Sequence, residues 1–172
     1  MTASEPVTEL NAGFSAPGAT ATAWADGLQR IEQSEIFWIS TVRPDGRPHV
    51  TPVMSVWLDD SPYFCTGSWE RKAKNLEQNT HCILTTGSNA LNEGLDVVIE
   101  GDAERVTDDA KLGRIADAYE SKYGSDWRYE VRDGAFESRG EGPVYVFEVA
   151  PAVILGFGKG TFSQTRWRFE RS

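Results

Sequence analysis

The sequence predicts a mainly β protein, a closed or partly closed antiparallel β-barrel accompanied by a few helices. Three observations predict it. Short runs of β-branched and aromatic residues recur between clusters of Gly, Pro, Asp and Ser. The first of these runs are joined by turns too short for a crossover helix, so neighbouring strands must be antiparallel. Only a few segments carry the periodicity of a helix, and no internal repeat or domain linker interrupts the chain.

The elements follow in order. Residues 1–21 are rich in Ala, Thr, Ser, Gly and Pro without periodicity and read as a flexible arm, leaving 22–172 as a single domain. Trp24, Leu28 and Ile31 recur at helical spacing. Ile36 to Val42 is a strand, and Arg43-Pro44-Asp45-Gly46-Arg47-Pro48 holds the Asp-Gly pair that a tight hairpin prefers. The chain returns from His49 to Leu58, turns at Asp59-Asp60-Ser61-Pro62 and continues as Tyr63 to Thr66. A helix from Trp69 to Gln78 and a strand from His81 to Thr86 follow. A polar loop then leads into Leu95 to Arg105, where Val97-Val98-Ile99 implies burial on both faces. Thr107 is positioned to cap a longer helix whose buried stripe is Leu112, Ile115, Ala116 and Tyr119. Ser125 to Gly142 is polar, aromatic and irregular. Val144 to Val149 and Val153 to Phe157 are the last strands, Gly156 to Gly160 reads as a turn, and the tail from Lys159 alternates aromatic and basic residues.

Composition excludes several function classes. The chain has 172 residues and a net charge of −9, a balance that repels phosphate backbones and anionic membranes at long range. No apolar run approaches the ~20 residues that span a bilayer. Met1 to Asn11 has neither the basic nor the apolar part of a secretory signal. Cys65 and Cys82 fall in strand-like segments and read as buried thiols in a reducing, cytoplasmic setting. His49 and His81 are the only histidines and lack metal-ligand spacing, so no metal site is expected. Six tryptophans are available to line a flat cleft, although packing accounts for most of them.

One stretch carries chemistry. In Thr66-Gly67-Ser68-Trp69-Glu70-Arg71-Lys72-Ala73-Lys74-Asn75-Leu76, Ser68 is a good N-cap and three cations crowd the first turns of the helix. Cations there oppose the helix dipole at a cost of about 0.3–1 kcal/mol each. A bound phosphate explains them, because free backbone N–H groups and clustered cations are what it requires. The alternative is that these side chains point into water and pair with Glu70 or Glu77.

The ordered set of Phe37-Trp38-Ile39-Ser40-Thr41-Val42, the Arg43-to-Pro48 turn, His49-Val50-Thr51-Pro52-Val53, Val56-Trp57-Leu58-Asp59, Tyr63-Phe64-Cys65-Thr66-Gly67 and Arg71-Lys72-Ala73-Lys74-Asn75-Leu76 resembles the pyridoxamine 5′-phosphate oxidase-like split-barrel superfamily. Within it, the chain looks most like the flavin/deazaflavin-dependent oxidoreductases. The resemblance covers roughly Glu35 to Leu155. It implies a six-stranded split β-barrel homodimer with cofactors in grooves between subunits. By position, Arg71 and Lys72 match the phosphate-binding pair, with Ser68, Lys74 and Asn75 beside them. Thr51, Pro52 and Val53 match the strand that runs along the cofactor ring, and Thr66 and Gly67 the strand end that lets the ribityl chain approach. Vitamin B6 oxidases carry extra Arg and Lys on the strand corresponding to His49 to Ser55. Here His49 is the one cation, which favours coenzyme F420 over FMN.

The function these residues imply is F420-dependent hydride transfer to a small conjugated organic substrate. FMN-dependent oxidoreduction in the same groove and a non-enzymatic flavin or haem carrier are the alternatives. No side chain is singled out as catalytic. Substrate contacts are expected from Ser125 to Gly142 and from the tail.

Overall fold

The computed structural model describes residues 5–137, 140 and 142–169. Its strands, in chain order, are β1 (Val7–Leu10), β2 (Phe37–Val42), β3 (Pro48–Val53), β4 (Ser55–Leu58), β5 (Ser61–Gly67), β6 (His81–Thr86), β7 (Leu95–Val106), β8 (Val131–Arg132), β9 (Ala135–Phe136), β10 (Val144–Gly158) and β11 (Ser163–Arg168). The helices are α1 (Trp24–Gln33), α2 (Arg71–Gln78) and α3 (Asp109–Tyr123), with short 3-10 turns at Ala12–Phe14 and Ser125–Trp127. The mainly β class holds. The strand count does not: the described residues form one antiparallel sheet of eleven strands where six were expected. No described helix is long and apolar enough to cross a membrane.

The β2–β3 hairpin closes as the Asp-Gly pair predicts. Arg43 N donates to Arg47 O at 2.9 Å, and Gly46 takes φ of 83°. Between β4 and β5 the loop is only Asp59-Asp60, both at positive φ, so Ser61 and Pro62 already belong to the strand. Aspartate tolerates that backbone because its short polar side chain bonds locally. The expected strand from His49 to Leu58 breaks at Met54, so β3 and β4 pair with different neighbours. The two expected final strands are instead one, β10, whose register shifts between Pro151 and Val153. A bulge is where a strand accepts proline without losing a ladder bond. That shift splits the sheet. One edge of β10 pairs with β7 from Val146 to Gly158, while the other pairs with β5 before the bulge and with β11 after it.

Four further expectations are corrected. Val7 to Leu10, placed in the arm, pairs with Arg168 to Thr165 of β11, because the amphipathic tail folds back and offers an open edge. The Ser125-to-Gly142 stretch contains the small β8–β9 hairpin. Val98 is only half-buried, so β7 alternates. Gly156 to Gly158 lie in β10, and Gly156 must be glycine because a Cβ there would stand 2.4 Å from the Trp167 indole.

Two cores result. Phe37, Ile39, Phe64, Leu84, Ile99, Val149, Ile154 and Trp167 fill the sheet interior under α1 and α2. Val56, Tyr63, Leu112, Ile115, Tyr119, Phe136 and Val146 form a second cluster between α3 and the sheet. Each such buried side chain contributes about 1.5–3 kcal/mol. Cys65 and Cys82 are free thiols, and burial pushes Cys82 up to about 12.

Candidate functional site

The two cores meet along β3 and β5, and a cleft of about 560 Å³ opens there. It is lined by Pro52 and Val53 at the end of β3 and Met54 just after it, and by Cys65, Thr66 and Gly67 at the end of β5. Trp69 and Trp127, 41% and 44% exposed, and Tyr129 also line it. Tyr129 is fixed from behind. It stacks on Phe136 at 4.5 Å, meets Tyr119 edge-on at 5.5 Å, and its hydroxyl accepts from Cys65 Sγ at 3.6 Å. At one end stand Glu70 and the nearly buried Lys72. A cleft lined by three aromatic rings and a Lys–Glu pair suits a planar ring carrying a polar or charged tail.

Backbone chemistry is available along β3. β3 ends the sheet path, so one of its edges has no strand partner. Pro48 and Pro52 fit that position, because proline lacks the N–H a central strand needs.

The sequence-predicted residues divide into two groups. Pro52, Val53, Thr66, Gly67 and Lys72 line the cleft together. Arg71 and Lys74 are exposed on α2 outside it, Ser68 lies in the loop just before, and Thr51, half-buried on β3, is likewise not among the lining residues. Asn75 is fully buried and braces α2 against β2, its Nδ2 donating to Thr41 Oγ1 at 3.0 Å. Ser68 is not the N-cap. The turn closed by Glu70 N donating to Gly67 O at 3.0 Å delays the helix, so Glu70 takes the cap position and Arg71 opens α2. The cap of α3 is likewise Asp108, one residue later than Thr107, its carboxylate accepting from Lys111 N at 2.7 Å.

Electrostatics at the charged end are specific. Lys72 Nζ is bonded to Glu70 Oε2, and Glu70 Oε1 accepts from Gly67 N at 2.9 Å. Burial pushes the Glu70 carboxyl up, but Lys72 and the Gly67 N–H outweigh it and hold it below the usual carboxylate range. For Lys72 the pairing alternative is therefore realised. The space over Gly67 is also filled from within, since a Cβ there would stand 2.5 Å from the Trp69 indole.

Nearby, the buried face of β3 presents His49 and Thr51 across from Thr41 and Ile39 of β2. His49 Nδ1, Thr51 Oγ1 and Asn75 Oδ1 are buried without a hydrogen-bond partner. Burial holds His49 below its ordinary value, helped by Arg43, Lys72 and Arg71. Orphaned polar atoms beside a buried lysine fit a tail bearing hydroxyls and phosphate, because buried polar groups are normally partnered. Among the described residues no cluster of His, Cys, Asp or Glu could hold a metal ion.

Sequence reasoning missed Ile36, Met54, Cys65, Trp69, Glu70, Trp127, Tyr129 and Val144 as lining residues. The only signals for the aromatic lining were the abundance of tryptophan and the irregular stretch after Gly124.

Solved structures share this fold at low identity. A haem-binding protein from Mycobacterium smegmatis superposes with a TM-score of 0.66 at 15% identity, over 86% of this chain and 59% of that one. A conserved hypothetical protein from Mycobacterium tuberculosis, Rv2991, gives 0.62 at 17% identity, over 86% and 85%. An FAD-binding protein from M. smegmatis gives 0.57 at 18% identity, over 87% and 100%. No curated protein sequence matches the chain. The sequence profile of the pyridoxamine 5′-phosphate oxidase family matches residues 26–157, most of the length, and the chain therefore belongs to that family.

Proposed function

We propose that the cleft holds the ring of a flavin-type cofactor and that the protein is an oxidoreductase. F420 is the favoured cofactor and FMN the alternative, with hydride passing to or from a small conjugated organic molecule. The observation that carries this reading is the cleft itself, whose lining brings together Trp69, Trp127 and Tyr129 with buried Lys72. The name of the FAD-binding structural neighbour agrees with it.

The bound ring would supply the hydride chemistry. The chain's part is position and exclusion of water. Trp69, Trp127 and Tyr129 offer faces for stacking, the open edge of β3 offers backbone groups to ring heteroatoms, and Lys72 would meet the tail. Such fixed groups act without reorganising as charge moves. No side chain in the cleft is needed as a nucleophile.

A homodimer belongs to the same proposal. Ile36, Trp38 and Val50 are each 51% exposed, and Trp38 and Val50 lie on the outer face of the β2–β3 hairpin beside the cleft. An apolar patch beside an open strand edge fits a second copy of the chain better than water. The free thiols suit a reducing cytoplasm.

The test is titration with F420 and with FMN, followed by cofactor absorbance and fluorescence. Arg71→Ala/Lys72→Ala is expected to weaken binding of the preferred cofactor by about tenfold, because the charge-assisted bonds gained from a phosphate are partly offset by the Glu70–Lys72 pair it must break. Equal affinity in the folded double variant removes the phosphate assignment. Haem uptake with a Soret band, and no response to either flavin, replaces the reading with a haem carrier, in line with the name of the haem-binding neighbour. Light scattering at micromolar concentration is expected to show a dimer, and monomer alone overturns that part.

A further inference from the structure

We propose that Glu70 is an internal counter-anion that competes with a ligand phosphate for Lys72 and the Gly67 N–H. It thereby sets how strongly the cleft discriminates phosphorylated from unphosphorylated ring ligands. The inference rests on the cleft being a cofactor site.

The geometry is that of a site already filled by the chain. Glu70 spends one carboxylate oxygen on Gly67 N and the other on Lys72 Nζ. Those two donors stand at the charged end of the cleft, where a phosphate tail would arrive. Glu70 holds the N-cap position of α2, yet its side chain caps nothing. It turns back toward the cleft instead.

The two partners are unequal in freedom. The Lys72 side chain is 6% exposed and that of Glu70 is 41% exposed. Lys72 is fixed by its surroundings, whereas Glu70 can swing into water at little cost in desolvation. If Glu70 left alone, a buried ammonium would be stranded, which is strongly unfavourable. If it leaves as a phosphate enters, one anion replaces another and Lys72 stays neutralised. The exchange is close to balanced, so the phosphate of an entering ligand adds little net affinity. A ligand without phosphate leaves Glu70 where it is.

A second observation points to an incoming group. His49 Nδ1 and Thr51 Oγ1, on the β3 face toward α2, are buried without partners. The charges acting on His49 are Arg43 from the hairpin turn and Arg71 and Lys72 from α2, all positive. Glu70 reaches Lys72 and the Gly67 N–H and leaves His49 Nδ1 and Thr51 Oγ1 without partners.

FMN and riboflavin share one ring system and differ by the phosphate, so together they isolate this effect. Each is titrated into the full chain at constant ionic strength and followed by loss of flavin fluorescence. In the wild type the two dissociation constants are expected within about tenfold of each other. In Glu70→Gln, FMN is expected to tighten by about tenfold or more, with riboflavin changed by less than about twofold. Gln keeps an acceptor for Gly67 N but removes the competing charge. Glu70→Ser is the second variant, because serine is favoured at an N-cap and guards against a folding defect. Unchanged or weaker FMN binding in both folded variants overturns the role of Glu70 while leaving the cleft assignment standing. Binding of F420 with neither FMN nor riboflavin bound overturns this inference alone, and failure of every version to bind FMN, riboflavin or F420 sinks the cleft assignment together with it.

Discussion

The two helices that flank the cleft region begin in opposite ways. At the start of α3, Asp108 caps with a 2.7 Å bond to Lys111 N, and Asp109 follows in the first turn, its carboxylate accepting from Gly134 N at 3.0 Å. Both charges agree with the helix dipole, and that end faces solvent. At the start of α2, the capping residue makes no side-chain cap, no acid stands in the first turn, and Arg71 and Lys72 open the helix. Unfavourable helix electrostatics therefore sit at the charged end of the cleft and favourable electrostatics sit away from it. A cation at a helix N-terminus is costly only until an anion is supplied, and at α2 the chain supplies its own through Glu70. One start serves stability and the other holds charge in readiness.

Gly67 is where that contrast can be broken most sharply. It joins β5 to the loop before α2, donates its N–H to Glu70, and lies under the Trp69 indole. The close approach of the indole explains the glycine, since a Cβ would stand 2.5 Å from the ring. Gly67→Ala is expected to cost about 1–3 kcal/mol, the usual range for an extra methyl in a filled space. Because Trp69 is 41% exposed, relief comes by the indole swinging outward. In a Trp69→Ala background the same substitution is expected to cost almost nothing. Denaturant unfolding of the four proteins measures the coupling. A cost that persists without Trp69 shows that the contact is not what demands glycine.

The same comparison shows what the sequence made legible. The buried stripe of α3 follows from the spacing of Leu112, Ile115, Ala116 and Tyr119, all of which are buried. The hairpin at Asp45-Gly46 follows from turn chemistry, and the thiols of Cys65 and Cys82 from their strand setting. These are local signals. The pairing of β1 with β11 joins Val7 to Arg168, and no local pattern reports a partner so far along the chain. The continuity of β10 was hidden because Pro151 resembles a strand break unless the bulge is known.

At the site, Lys72, Pro52, Val53, Thr66 and Gly67 were recognisable because an ordered motif carries them. Trp127 and Tyr129 were not, because an irregular segment gives no register to say which rings point inward. Nor could the sequence tell that Glu70 faces Gly67 and not water. That direction depends on the turn between Gly67 and Glu70, whose closing bond shifts the helix start by two residues from the expected Trp69.

The smallest expected effect lies at the ordinary helix start and supplies the reference for the unusual one. Asp108→Ala removes the cap of α3 and is expected to cost about 1 kcal/mol of stability. Asp108→Asn keeps the acceptor for Lys111 N and loses only the charge, so it is expected to cost less, and added salt should erase much of the remainder. Thermal unfolding of both variants at low and high salt separates the cap from the charge. Flavin affinity should be indifferent to either change, because Asp108 is not among the residues lining the cleft. If Asp108→Ala left stability unaltered, the cap bond would carry no weight and α3 could not serve as the standard against which the start of α2 is judged. If it changed flavin affinity, the two helix starts would be coupled, and the division between a stabilising end and a charge-presenting end would fail.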